Sequence, residues 1–78
     1  MTYVVVAEEK DGPNFTYTIV DTTNGSIVGK AICHYNQRRS FWDYEDTHGR
    51  TIKDKSKITM MLDATMSHKA GNSNVTDR

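Results

Sequence analysis

Apolar and polar residues alternate through the first part of the chain, and clusters of turn residues interrupt this alternation. Residues 2–8 (TYVVVAE) are rich in β-branched and aromatic side chains, which predicts a first strand. In residues 15–21 (FTYTIVD) the apolar residues recur with a period of two, as in a half-buried strand. The turn residues at 11–14 (DGPN) separate the two segments and predict a hairpin.

A second hairpin is expected at residues 24–25 (NG), because both residue types tolerate positive φ, and a third strand follows from about residue 26. A two-residue turn would place Lys30 on the apolar face of the second strand. A three-residue loop at 23–25, with Gly25 in a bulge, would instead place Ile27 and other uncharged residues of the third strand on the apolar face. We favour this register. It assigns to the opposite, outer face Thr16, Thr18, Val20, Val28, Lys30, Ile32 and His34.

Residues 41–45 (FWDYE) predict a further short strand after the connection QRRS. Because side chains alternate along a strand, Trp42 and Tyr44 should lie on one face and Asp43 and Glu45 on the other. The sequence leaves open whether Trp42 belongs to the core.

The C-terminal part of the chain predicts one helix. Asp54 and Ser56 are both suitable N-caps, and Gly71 is expected to end the helix just after Lys69. The apolar stripe consists of Ile58, Met61, Leu62, Thr65 and Met66. The predicted fold class is therefore α+β: a small antiparallel β-sheet of three to four strands with one C-terminal helix packed on one face. Residues 1–70 should form a single domain and residues 71–78 a flexible tail.

Composition narrows the classes of function. Among 78 residues there are ten basic and ten acidic ones, which argues against a strongly basic domain that binds polyanions. The single cysteine, Cys33, forms no internal disulfide, as in proteins of a reducing compartment. The sequence shows neither a secretory leader nor a run of about 20 apolar residues, so we expect a cytoplasmic protein without membrane association.

The segment from Cys33 to Gly49 concentrates most of the reactive residue types. Cys33 and His34 are adjacent and should point to opposite faces of a strand, so they do not form a nucleophile and its base. Asp43, Glu45, Asp46 and His48 resemble a divalent-cation site, but no second cluster completes the ligand shell, and a solvated acidic edge is the preferred interpretation. Catalytic motifs are also lacking, so we expect neither an enzyme nor a cofactor.

Nucleic-acid binding is one hypothesis for this segment. Arg38 and Arg39 lie beside Phe41 and Trp42, and guanidinium groups with aromatic rings contact phosphates and exposed bases. The outer sheet face would extend this patch. The acids from Asp43 onward and the neutral net charge argue against it.

Protein binding is the preferred hypothesis, because arginines and aromatic residues are enriched at interface hot spots. The predicted site consists of Arg38, Arg39, Phe41, Lys30, Ile32 and His34. The expected role is that of an inhibitor or regulator of a larger protein, by analogy of size with phage-encoded antagonists of host machinery. A homodimer through the outer sheet face is the alternative arrangement.

Overall fold

The computed structural model describes residues 2–35 and 39–76, and the side chains as far as residue 70. It contains a four-stranded antiparallel sheet, with the strands in chain order, and one C-terminal helix that packs against the sheet. The strands are β1 (Tyr3–Asp11), β2 (Asn14–Asp21), β3 (Ile27–Tyr35) and β4 (Ser40–Asp46), and the helix α1 spans Lys55–Thr76. The predicted small α+β fold is confirmed.

The first strand is longer than its sequence pattern predicted. It continues through the charged residues 8–11, and Asp11 pairs with Asn14 across a tight turn in which Gly12 has a φ of 60°. A bulge between Val5 and Ala7 shifts the register by one residue. Beyond the bulge, the polar second half of β1 pairs with β2 as far as Asp11.

The favoured register of the second hairpin is confirmed over most of its length. Tyr17 pairs with Ala31 and Phe15 with Cys33, so the apolar residues of β2 face uncharged residues of β3. The turn itself differs from the prediction. Asp21 donates its N–H to the Ser26 carbonyl at 2.9 Å, which closes a four-residue loop rather than a three-residue one.

The extra loop residue is compensated by a bulge at the start of β3. Val20 pairs with Ile27 and Ile19 with Gly29, which leaves Val28 as the bulged residue. Two predicted positions are therefore wrong: Ile27 is exposed, and Val28 packs against the core instead of lying on the outer face. The bulge shifts the register by one residue, which offsets the extra residue of the loop and restores the favoured pairing from Ile19 and Gly29 onward.

The core lies between α1 and one face of the sheet, which we call the inner face. Its buried hydrophobic residues are Tyr17, Ile19, Ala31, Tyr44, Ile52 and Met61. Burial of apolar side chains on one side of the sheet supplies most of the stabilisation available to so small a domain. Ile52 joins this core because its N–H donates to the Tyr44 carbonyl at 2.8 Å, which ties the segment before the helix to β4.

Asp54 is the N-cap of α1. Its carboxylate accepts the Ser56 N–H at 3.0 Å, and its carbonyl accepts the Ile58 N–H at 2.9 Å, so one of the two predicted caps is the observed one. The helix continues past Gly71 to Thr76, and the predicted end near Lys69 is wrong. A glycine lowers helix stability by only about 1 kcal/mol relative to alanine and does not by itself end a helix.

In the part of the chain that the structure describes, no helix has both the length and the apolar character needed to cross a membrane.

Candidate protein-binding surface

The sheet face opposite α1, which we call the outer face, carries a mixed set of apolar and charged side chains. The strand pairing fixes its members: Thr16, Ile32 and Asp43 form one cross-strand row, Thr18, Lys30 and Glu45 a second, and His34 and Phe41 a third. This arrangement brings together four of the six predicted site residues, namely Lys30, Ile32, His34 and Phe41.

His34 and Phe41 are directly opposite each other on β3 and β4, and their rings stack with centroids 5.0 Å apart and planes 19° from parallel. The Phe41 residue nevertheless keeps 47% of its surface exposed. The stack restricts the rotamers of both rings, so an apolar surface is already ordered before any partner arrives. Ordered aromatic rings lose little conformational entropy on binding.

Asp43 extends this pair into a triad. Its Oδ2 atom lies 2.8 Å from Nε2 of His34, close enough for an ion pair when the ring is protonated. Nε2 is shielded from solvent, yet no described residue offers it a hydrogen bond of good geometry. The short distance between Oδ2 and Nε2 therefore defines the contact, and hydrogen-bond alignment does not.

Lys30 and Ile32 complete the central part of the outer face. Lys30 is exposed and stands between Thr18 and Glu45, an acidic neighbour directly across the β3–β4 pair. Ile32 is half-buried in the row between Thr16 and Asp43. The face thus alternates apolar, cationic and anionic groups over a short distance.

The two predicted arginines precede β4. Arg39 is exposed and immediately precedes Ser40, the first residue of the strand, which places it at the end of the outer face near Phe41. Arg38 lies outside the described residues, so its predicted role stays a prediction.

Trp42 belongs to the inner face and is half-buried against the core. Its ring contacts those of Tyr17 and Tyr44, with centroids 6.0 and 6.5 Å away, and the Lys69 ammonium lies 5.7 Å from its centroid. Phe41 and Trp42 therefore point to opposite faces and do not form one aromatic surface. Cys33 also lies on the inner face, opposite Trp42, and is separated from His34 as the alternation predicts.

The predicted cation ligands are likewise divided. Asp43 and Glu45 lie on the outer face, whereas Asp46 closes the turn after β4, where its Oδ1 accepts the N–H groups of His48 at 2.8 Å and Arg50 at 3.0 Å. These two backbone hydrogen bonds hold the pKa of Asp46 below its usual value of 3.8. Among the described residues no group of three potential metal ligands is assembled.

Asp43 differs from its predicted role. The sequence predicts a solvated acidic edge, whereas in the structure Asp43 contacts His34 on the neighbouring strand. The signal was present in the strand alternation, because Asp43, His34 and Phe41 share a face in the favoured register.

Comparison of the chain with protein-family models, with curated protein sequences and with solved structures found no match.

Proposed function

We propose that this protein is a small non-enzymatic binding module that inhibits or regulates a larger protein by docking through the outer face of its sheet. The observation that carries the proposal is the ordered His34–Phe41 stack, which displays a half-exposed aromatic ring on a sheet face that α1 leaves uncovered. Aromatic anchors surrounded by polar side chains are typical of interface hot spots.

The charges around the stack also suit a protein partner. Lys30 faces Glu45 and His34 contacts Asp43, so each described cationic group of the central face has an acid beside it. Alternating charges provide orientation and partner discrimination in protein interfaces. A surface for nucleic acid would instead present an excess of positive charge to the phosphates.

Nucleic-acid binding is the second candidate, because Arg39 and Phe41 lie at the same end of the outer face. Phe41 and Trp42 lie on opposite faces of the sheet. A nucleic acid on the outer face would therefore meet one of these two rings, whereas the sequence suggested both. We therefore place it behind protein binding.

The test is an affinity pull-down from lysate of the source cell, or of its host if the protein is viral, with bound proteins identified by mass spectrometry. The wild-type chain is compared with Phe41→Ala. The matched control is Tyr35→Ala, which removes an aromatic ring that is 55% exposed at the neighbouring cross-strand pair but on the inner-face side.

We expect one stoichiometric partner that is retained by Tyr35→Ala, is lost from Phe41→Ala and survives nuclease. Loss of binding on nuclease treatment would contradict the proposal and favour the nucleic-acid candidate. A chain that sediments as a dimer, with Phe41→Ala returning it to a monomer, would assign the outer face to self-association. Equal capture by both variants would show that the outer face is not the docking surface.

A further inference from the structure

The outer edge of β1 is separate from the proposed docking face and has no strand partner among the described residues. The Thr22 N–H donates to the Thr2 carbonyl at 2.8 Å, which fixes the alternation of hydrogen bonding along β1. In an antiparallel ladder the peptide groups of Val4 then point to β2, and those of Tyr3 and Val5 point to the open edge. An unpaired row of this kind accepts a further strand.

A groove runs between this edge and α1. It consists of two adjoining depressions of 280 and 200 Å³ that share Tyr3, Ala64 and Ser67 in their walls. Small helix residues leave the space open, and Asp63 lines the rim. His68, whose Nε2 atom lies 3.0 Å from Glu8 Oε1, is in the lining of the smaller depression.

The geometry of the groove selects an extended peptide. Its floor offers backbone donors and acceptors from one strand edge, and an added strand would satisfy them at the usual spacing of about 4.8 Å. The bulge at Val6 and the charged residues 8–11 interrupt pairing farther along β1. The bound segment is therefore short, about four residues beside Thr2–Val5.

Charge distinguishes the possible occupants. Asp63 is the acidic residue in the lining of the larger depression, so a basic segment is favoured over an acidic one. A second copy of β1 is a poor occupant, because its residues 2–5 carry no basic side chain to lie beside Asp63.

We infer that the groove between β1 and α1 binds a short extended segment of another protein as an added strand, with a lysine or arginine of that segment beside Asp63. This site is independent of the proposed function of the outer face, and the two can be tested apart.

The probe is the peptide acetyl-Lys-Val-Thr-Val-Lys-amide, titrated to millimolar concentration into the full-length ¹⁵N-labelled chain. We expect saturable amide shifts at Tyr3, Val5, Ala64 and Ser67. A peptide of the same sequence with N-methylated valines, which removes two N–H donors, should bind about tenfold more weakly or not at all. The acidic analogue, with glutamates in place of the lysines, should bind about fivefold more weakly.

Two variants of the chain sharpen the test. Ser67→Trp fills the groove and should abolish the shifts, whereas Met66→Trp adds the same ring at a neighbouring exposed helix position that does not line the groove. Asp63→Lys should reverse the preference between basic and acidic peptides. Glu9→Lys makes the same charge change on the opposite face of β1 and should leave the preference unchanged.

The inference is overturned if the basic peptide causes no shifts, if the N-methylated peptide binds as well as its parent, or if the shifts fall on the outer face around Phe41. Phe41→Ala should bind the peptide like the wild type. If Phe41→Ala failed to bind the peptide, the two sites would be one. If Phe41→Ala bound the peptide normally and also captured the partner as well as the wild type does, only the outer-face proposal would be refuted.

Discussion

The two faces of the sheet are built from alternate residues of the same strands, yet they differ in almost every physical property. The inner face buries Tyr17, Ile19 and Ala31 against α1, whereas the outer face displays Lys30, Phe41 and Asp43. Inner-face residues are held by burial of apolar surface, and outer-face residues are held by pairwise contacts with their cross-strand neighbours. Substitutions on the inner face should therefore change stability, and substitutions on the outer face should change binding.

The largest expected effect is that of Gly29→Ala, at the pairing of β3 with β4. A Cβ atom there would collide with the backbone carbonyl of Glu45, and the φ of 156° disfavours any side chain. Backbone cannot yield as a flexible side chain does, so we expect a loss of at least about 3 kcal/mol in the free energy of unfolding. Chemical denaturation measures this loss.

The control is Gly12→Ala, at a turn where φ is 60° and a Cβ atom would meet nothing within 4 Å. This substitution carries only the conformational penalty of about 1 kcal/mol. Equal destabilisation by the two changes would show that the close approach of β3 and β4 at Gly29 is not a real constraint.

The next effect compares the same substitution on the two faces. Ile19 is fully buried on the inner face, and Ile19→Ala should cost about 3 to 4 kcal/mol through lost burial and a residual cavity. Ile32 is half-buried on the outer face, and Ile32→Ala should cost about 1 kcal/mol or less. Urea unfolding of the two variants gives the difference directly. A larger loss at Ile32 would mean that the outer face is covered in solution.

The smallest expected effect concerns Tyr17. Burial, followed by the charges of Glu8 and Cys33, raises the pKa of this phenol above its usual 10.0. A raised folded-state pKa means that the stabilisation is complete below pH 10 and is lost as the pH rises through the folded-state value. Tyr17→Phe should therefore flatten the fall of stability at alkaline pH, and denaturation midpoints measured across that range would test this. Parallel curves for the two proteins would contradict the assignment.

The elements could be predicted because each has a local signal. The alternation in β2, the Asn24-Gly25 turn and the Asp54 cap all act within a few residues, and each has its counterpart in the structure. The length of the second loop and the bulge at Val28 could not be predicted. The two features compensate each other. A longer loop with a bulge and a shorter loop without one give the same pairing beyond Val28, so the hydrophobic pattern cannot distinguish them.

The arrangement of the candidate site residues could be predicted in part for the same reason. His34 and Phe41 share a face because of the strand period, but their stacking and the contact of His34 with Asp43 depend on the pairing of β3 with β4. The sequence by itself determined that alternate residues would be divided between an apolar and a mixed face. Only the tertiary structure decided which strand lies at the edge, how α1 leaves a groove beside it and which side chains meet across strands. Those contacts join residues far apart in the chain, and local periodicity carries no information about them.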